Sequence, residues 1–478
     1  MNHRPEPAAA PPPGCPAHNR GGMPLYGPEF AAGPTMFYER LRRQGAAAPV
    51  ELAPGVDAML VTGYRAALEV LRTTDKYGKD PRRWRALVEG RIPADSPVLP
   101  MMHPRPNCLL TEGAVHARYR AAVTGAFDRL DMHLVRGYVE SAADMLIDRF
   151  APRGEADLLA EYAALLPLYV FNELFGCPPE YGDRLVVAMA GIFDGVDAER
   201  ANAELTACMA DLVAMKRREP GADITSWLLE HPVRLTDEEM IHQLILLMGA
   251  GTEPEQNLIA NTLRLLLTDE RFAGDVGEGR LLIEDAFNEV LWTDPPMANY
   301  AVHFPYEDTF LEGVPLYAGE PVVISFTAAN NDPALAASRR EGNRAHLAWS
   351  AGPHHCPAKE PARVIASVAV ERVLDRLPDL ELAVPPEELA WRPGPFHRAL
   401  ATMPVVFPPV AAPAAARSAA APAYAQYDAT RGESRWNPAP APTSSTPSAA
   451  TSTGRERTSA SRGLRLWSNS LARWWHGR

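Results

Sequence analysis

The sequence predicts a mainly α fold with a small β region, set between two disordered arms. Three observations predict it. Long stretches carry apolar residues at helical spacing, strand-like runs are few and short, and both ends are rich in Pro and Ala. Residues 1–33 read as a disordered N-terminal arm, since Pro, Gly and Ala offer little apolar surface to bury. Residues 34–407 keep a steady apolar periodicity, enough for one large helix-rich domain. Within it Met59–Thr62 and Val322–Phe326 read as strands, and Leu158–Phe175, Asp237–Leu267 and Ile365–Leu377 as helices. Thr236 followed by Glu239 gives the Asp237 helix a capping box. Residues 408–478 run through Ala/Pro repeats into a Ser/Thr tract and read as a second disordered tail. In its last stretch, 462–478, Leu464, Trp467, Leu471, Trp474 and Trp475 fall on one helical face with Arg465, Arg473 and Arg478 around it. That pattern predicts an amphipathic basic helix suited to an anionic membrane surface or a partner groove.

Charge and cysteine usage exclude several classes. The net charge of −12 argues against a nucleic-acid binder, which needs a basic surface. From Pro408 onward nine Arg face only Asp428, Glu433 and Glu456, a net of +6, which leaves −18 for the rest. Five cysteines without paired spacing suggest a reducing compartment, and no uninterrupted run of about 18 apolar residues predicts a membrane span. A cytoplasmic location is expected, peripheral to a membrane at most through the C-terminal end.

The most informative stretch is His346-Leu-Ala-Trp-Ser-Ala-Gly-Pro-His-His-Cys-Pro-Ala358, ahead of a helical run. A cysteine at a helix N-terminus lies beside unpaired N–H groups and the positive dipole end, both of which favour its thiolate. Pro357 suits a first helical position, and Gly352 lets the backbone approach something flat. Taken alone, Cys356 could equally be a buried structural thiol. A zinc site is disfavoured, because His354, His355 and Cys356 cannot all face one ion and no second ligand cluster exists in the sequence.

This loop resembles the haem loop of the cytochrome P-450 superfamily, Phe-Gly-x-Gly-x-His-x-Cys-x-Gly. Trp349, Ser350, Gly352, His354, Cys356 and Ala358 stand at its six defined places, and three match outright. The resemblance implies haem b, with Cys356 as axial iron ligand and Trp349 and Gly352 lining the proximal loop. Upstream, His116-Ala-Arg-Tyr-Arg120 resembles the family's His-x-x-x-Arg segment, which implies that His116 and Arg120 pair with a haem propionate. His354 would be a further propionate partner, and His303 falls where many bacterial members place an Arg for the same purpose. Gly249-Ala-Gly-Thr-Glu-Pro-Glu255 resembles the oxygen-side helix motif Ala-Gly-x-(Asp/Glu)-Thr. Ala250, Gly251 and Glu253 match and are expected in the distal pocket, but Pro254 replaces the proton-relaying Thr and is expected to open the helix at the Ala250 carbonyl.

The largest departure is Glu289-Val-Leu-Trp292, where the family has Glu-x-x-Arg. The loop from Asp332 to His346 also reads as about five residues short for a bacterial member, too short to offer the usual partner network. Together they match a small, atypical actinomycete group lacking Glu-x-x-Arg, often encoded beside small GTPases. The resemblance covers about residues 35–407. It implies a monooxygenase that takes electrons from a ferredoxin and ferredoxin reductase and inserts one oxygen atom into a small organic substrate. The alternative is a haem-binding or scaffold protein without turnover in a GTPase-linked signalling complex.

Overall fold

The computed structural model describes residues 21–411, apart from 179–180, 183, 186–187, 189–197, 274–279 and 336–342. The chain enters through β1 (Met23–Pro24), α1 (Pro28–Ala32) and α2 (Pro34–Arg42). The fold therefore begins inside the stretch 1–33 expected to be a disordered arm. Leu25 and Phe30 are buried, and Phe30 meets Phe37 and Tyr38 edge-on at 5.5 and 5.7 Å. Two aromatic contacts give this Pro- and Gly-rich segment the apolar burial its composition did not promise. At the other end Val410 still donates its N–H to Ala151 O, while the expected helix at 462–478 lies outside the described residues.

A hairpin of β2 (Ala47–Ala53) and β3 (Val56–Val61) leads to α3 (Tyr64–Arg72) and β4 (Tyr77–Gly78). Then come α4 (Gly113–Phe127), α5 (Met132–Phe150), α6 (Leu166–Phe175) and α7 (Asp237–Thr268). The chain continues through α8 (Arg280–Thr293), β5 (Asn299–Pro305), β6 (Val322–Ser325) and α9 (Lys359–Arg376). The six strands form one sheet in the order β1-β2-β3-β6-β5-β4. The central helix α7 packs against α6, α8 and α9, and α9 packs against α5. No helix among the described residues is long and apolar enough to cross a membrane.

The α7 helix starts where the sequence places it. Thr236 Oγ1 accepts from Glu239 N at 3.2 Å, and Glu239 Oε2 accepts from Thr236 N at 2.8 Å. The helix stays continuous through Pro254, so the opening expected at the Ala250 carbonyl does not break it. Leu158–Phe175, predicted as one helix, divides into a π-helical turn at Leu159–Ala163 and α6. The division falls at Ala164 and Leu165, just before Pro167, which has no N–H to continue the upstream ladder. Strands are more numerous than the two expected. β2 has the sequence AAPVELA, with only one β-branched residue, and β5 is buried on both faces, so neither shows the alternation that marks a strand.

Trp292, in place of the family's Arg, is buried at the end of α8. Its Nε1 donates to Asn343 O at 2.8 Å, and its ring meets His346 edge-on at 5.8 Å. Asn331 Nδ2 donates to Trp292 O at 3.1 Å, and Asn330 joins Leu291 O to Leu347 N. Glu289 faces Arg271 at 3.6 Å, while Glu284, more than one turn upstream, pairs with both Arg344 and Arg363. The short loop predicts no partner network. The structure instead shows the loop clamped to α8 by an indole, two asparagines and a displaced carboxylate. Trp292→Arg is expected to lower the melting temperature, because losing a buried Trp costs about 3–5 kcal/mol and the guanidinium enters without its acid. A variant melting at or above wild type would show that the introduced guanidinium finds Glu289 after all.

Candidate functional site

Cys356 lies on the loop between Leu347 and α9. Its N–H donates to Trp349 O at 2.8 Å, closing the loop on itself. Two family glycine positions differ in what they demand. Ser350 holds φ +60°, a left-handed conformation that costs a side chain about 1–2 kcal/mol, whereas Ala358 sits at φ −103° without strain. Gly352 has φ +70°, and a Cβ there would lie 2.1 Å from Leu71 O. The flat partner expected at Gly352 is therefore the backbone of α3. Pro357 precedes the helix rather than opening it, since α9 begins at Lys359. The helix end thus acts weakly on Cys356. Burial pushes its thiol up to about 11, only partly opposed by the Ala358 backbone, Arg120 and Lys359. A cation held at the thiol would displace that proton.

Facing the loop is a group of bases drawn from four places. His116 and Arg120 come from α4, His303 from β5, His354 from the loop, and Lys79 follows β4. The His116 and His354 rings stack at 3.9 Å and 32°. Arg120 Nη2 lies 3.2 Å from His355 Nε2. His303 is aimed by a register shift in β5, with Ala301 at φ +49° and the His303 ring nitrogen Nδ1 2.5 Å from Ala301 O. Lys79 is buried beneath the Tyr300 ring, its Nζ 5.7 Å from the centroid. Glu112 Oε2 accepts the Lys79 N–H at 2.9 Å, an approach that requires Gly78, whose Cβ would meet that oxygen at 2.2 Å.

These bases share one electrostatic condition. Burial drives Lys79 down to about 7 and His116 to about 4, and it lowers His303, His354 and Arg120. Among the described residues no carboxylate offsets any of them, and His116 Nε2 is buried without a protein partner. Without a counter-ion such groups give up their protons, and an anionic ligand seated among them would restore their charge. Lys79 was missed in the sequence because its burial is a tertiary fact. One signal existed: it is one of four lysines in a chain that otherwise uses Arg.

On α7 the small residues differ in what they face. A Cβ at Gly249 would meet nothing within 4 Å, and Ala250 is exposed although it lies mid-helix. Gly251, expected in the distal pocket, instead admits Phe171, whose ring atoms would lie 2.6 Å from a Cβ. Glu253 is buried, and its Oε1 accepts from Arg392 and from Asn257 Nδ2 at 3.1 Å. The acid expected to serve as a free relay is therefore held by Arg392, a residue that no sequence motif singles out. Pro254, beside it, has neither hydroxyl nor N–H. A loop thiol, an exposed small-residue stretch of α7 and a basic cluster whose charge no carboxylate offsets are residues that suit a haem, with its iron and two propionates, the group that the resemblance implies. No three His, Cys, Asp or Glu side chains converge as a metal site among the described residues.

No protein-family model matches the chain. It is 33% identical over 394 residues to the cytochrome P-450 monooxygenase PikC of Streptomyces venezuelae, covering 79% of this chain and 92% of that protein. It is 31% identical over 400 residues to the vitamin D(3) 25-hydroxylase of Pseudonocardia autotrophica, covering 80% and 96%. Among solved structures, CYP154C4 from Streptomyces superposes with a TM-score of 0.72 at 29% identity, covering 80% of this chain and 97% of that one. With a third of its residues identical across nine-tenths of such a relative, on the same fold, this chain belongs to the cytochrome P-450 superfamily of haem-binding monooxygenases.

Proposed function

We propose that the chain hydroxylates a small organic substrate with electrons from a ferredoxin and its reductase: RH + O2 + 2e− + 2H+ gives ROH + H2O. The observation that carries the site assignment is the basic cluster without a carboxylate beside the Cys356 loop. Haem supplies dioxygen binding and oxygen transfer, chemistry that no side chain here offers. Cys356 Sγ holds the iron. His116, Arg120, His303, His354 and Lys79 hold the two propionates, whose charges offset theirs. Gly249 and Ala250, open on their outer side, would leave room for dioxygen and substrate. Glu253 Oε1 is committed to Arg392 and Asn257, so protons pass at Oε2, the carboxylate oxygen without a protein partner. The GTPase-linked scaffold alternative gains no support from the relatives. The tail that would carry a GTPase or membrane contact lies outside the described residues.

Three outcomes test this reading. Reduced protein with CO should show the strongly red-shifted Soret band of a thiolate-ligated haem, and Cys356→Ala should lose it; well-folded protein that takes up no haem would refute the assignment. Lys79→Met should speed haem transfer to excess apomyoglobin roughly ten- to hundredfold, the loss expected for one hydrogen bond to a charged group. In the haem-free protein the unfolded Lys binds a proton that the folded one, lowered from 10.5 to about 7, does not. Stability should therefore fall as pH drops from about 10.5 to about 7, and Lys79→Met should lack that slope. Finally, Pro254 removes the last positioned hydroxyl, an acid–base contribution worth roughly 10²–10⁴ in rate. Wild type supplied with NADPH and a plant-type ferredoxin should return most electrons as hydrogen peroxide, and Pro254→Thr should cut that share. Little peroxide from wild type would show the hydroxyl to be dispensable.

A further inference from the structure

Apart from the basic cluster, a second cation stands without a partner. Arg105 lies half-buried on the loop that leads into α4, and its guanidinium makes no hydrogen bond and no ion pair among the described residues. Burial lowers it, and only the phenol of Tyr300 opposes that cost. None of its nitrogens is sealed from solvent, so a ligand can reach them.

This arginine is not a further member of the cluster. Its charge acts on His103, His242 and Tyr300. It contributes nothing to the lowering of Lys79, His116 or His303. Tyr300 meets both sides: Lys79 lies over its ring, and its hydroxyl donates to Met101 O at 2.8 Å, on the approach to Arg105.

Arg105 acts on α7 at His242. His242, Leu246, Gly249 and Glu253 recur at intervals of three or four residues and share one side of that helix. This side is the open one. His242, Ile245 and Leu246 are half-buried and Ala250 is exposed, whereas Leu244 and Met248 on the opposite side are buried. The guanidinium therefore marks the upstream end of the open side, and Gly249 stands two turns on, about 10 Å at 1.5 Å per residue. The accessible surface between them, from Ile245 and Leu246, is apolar and suits a hydrocarbon body.

The place carries one charge. Burial and Arg105 itself lower His103 and His242, which leaves both neutral, and the Glu238 carboxylate that acts on His242 is exposed. One half-buried cation is balanced by one negative charge, whereas a phosphate dianion would bring one too many. The planar fork of a guanidinium also matches the two oxygens of a carboxylate. We propose that the substrate is a monocarboxylic acid with an apolar body, whose carboxylate Arg105 holds about 10 Å from the carbon presented beside Gly249 and Ala250. Arg105 is thus a specificity residue: it selects the acid and sets which carbon is oxidised. The inference rests on the oxygenase reading for the oxidation, and on Arg105 alone for the binding.

Titration calorimetry of the haem-loaded protein tests it, with straight-chain acids from octanoate to tetradecanoate against the alcohols and amines of equal length. At least one acid should bind ten- to hundredfold more tightly than its alcohol, roughly the gain expected for hydrogen bonds to a charged group. The amines should bind no better than the alcohols. Arg105→Met should abolish the preference for acids and leave alcohol binding, the melting temperature and the ferrous–CO spectrum unchanged, because the guanidinium bonds to nothing in the free protein. Arg105→Lys, which keeps the charge without the fork, should fall between. Equal binding of acids and alcohols to wild type would overturn the proposal. So would a preference that survives in Arg105→Met, tighter binding of alkyl phosphates, or oxidation at the carbon next to the carboxylate. If Arg105→Met does not fold, the wild-type series and Arg105→Lys decide the matter. An acid that binds through Arg105 yet is never oxidised, even with added peroxide, would refute the oxygenase reading instead, so the two failures are distinguishable.

Discussion

Five basic side chains, from α4, β5, the stretch after β4 and the cysteine loop, converge where no carboxylate among the described residues offsets their charge. Each would be more stable in water, and each raises the cost of protonating its neighbours. The cost makes sense only if a ligand brings the opposing charges. An anion that bound the cluster would couple its binding to folding, because it would join sheet, helix and loop. The register shift in β5, the left-handed Ala301 and the glycine at 78 are local strains held in place by that convergence.

The loop that presents Cys356 is held by different means. Where relatives of this fold are expected to use an arginine, this chain uses the indole N–H of Trp292, an edge-on contact with His346 and two asparagines. A buried ion network needs every charge matched, whereas one indole needs a single carbonyl. The charges have not vanished. Glu284 gathers Arg344 and Arg363 at a more accessible level, where a mismatch costs less. Substitution at one position has thus moved an ionic clamp by more than a turn of helix and left a neutral one in its place.

The central helix α7 combines two faces with opposite demands. Toward the open side it presents Gly249 and Ala250, and toward α6 it uses Gly251 to admit Phe171. Its buried Glu253 is anchored by Arg392 near the Trp391–Leu400 bridge. Pro254 is tolerated because the capping box and the packing of neighbouring helices hold the ladder on both sides. What distinguishes it is chemical: Pro254 carries neither a hydroxyl nor an N–H.

The family, the helix-rich class and the α7 boundaries were legible in the residues, because short motifs and 3.6-residue periodicity are local properties. His116, Arg120, His303 and His354 were also named from sequence, and the structure brings His116 and His354 into ring contact. Lys79, Arg392 and Asn257 were not legible. Asn257 matters because it is buried, and Lys79 and Arg392 because of distant partners: Glu112 lies 33 residues from Lys79, and Glu253 lies 139 from Arg392. Nor could the sequence tell that Gly352 faces the α3 backbone, that Glu253 is already paired, or that Trp292 reaches the carbonyl of Asn343. Local propensity and motif spacing decided which residues could serve the site. Long-range packing decided which atoms lost water and which found a partner, and that alone determines the charge each side chain can carry.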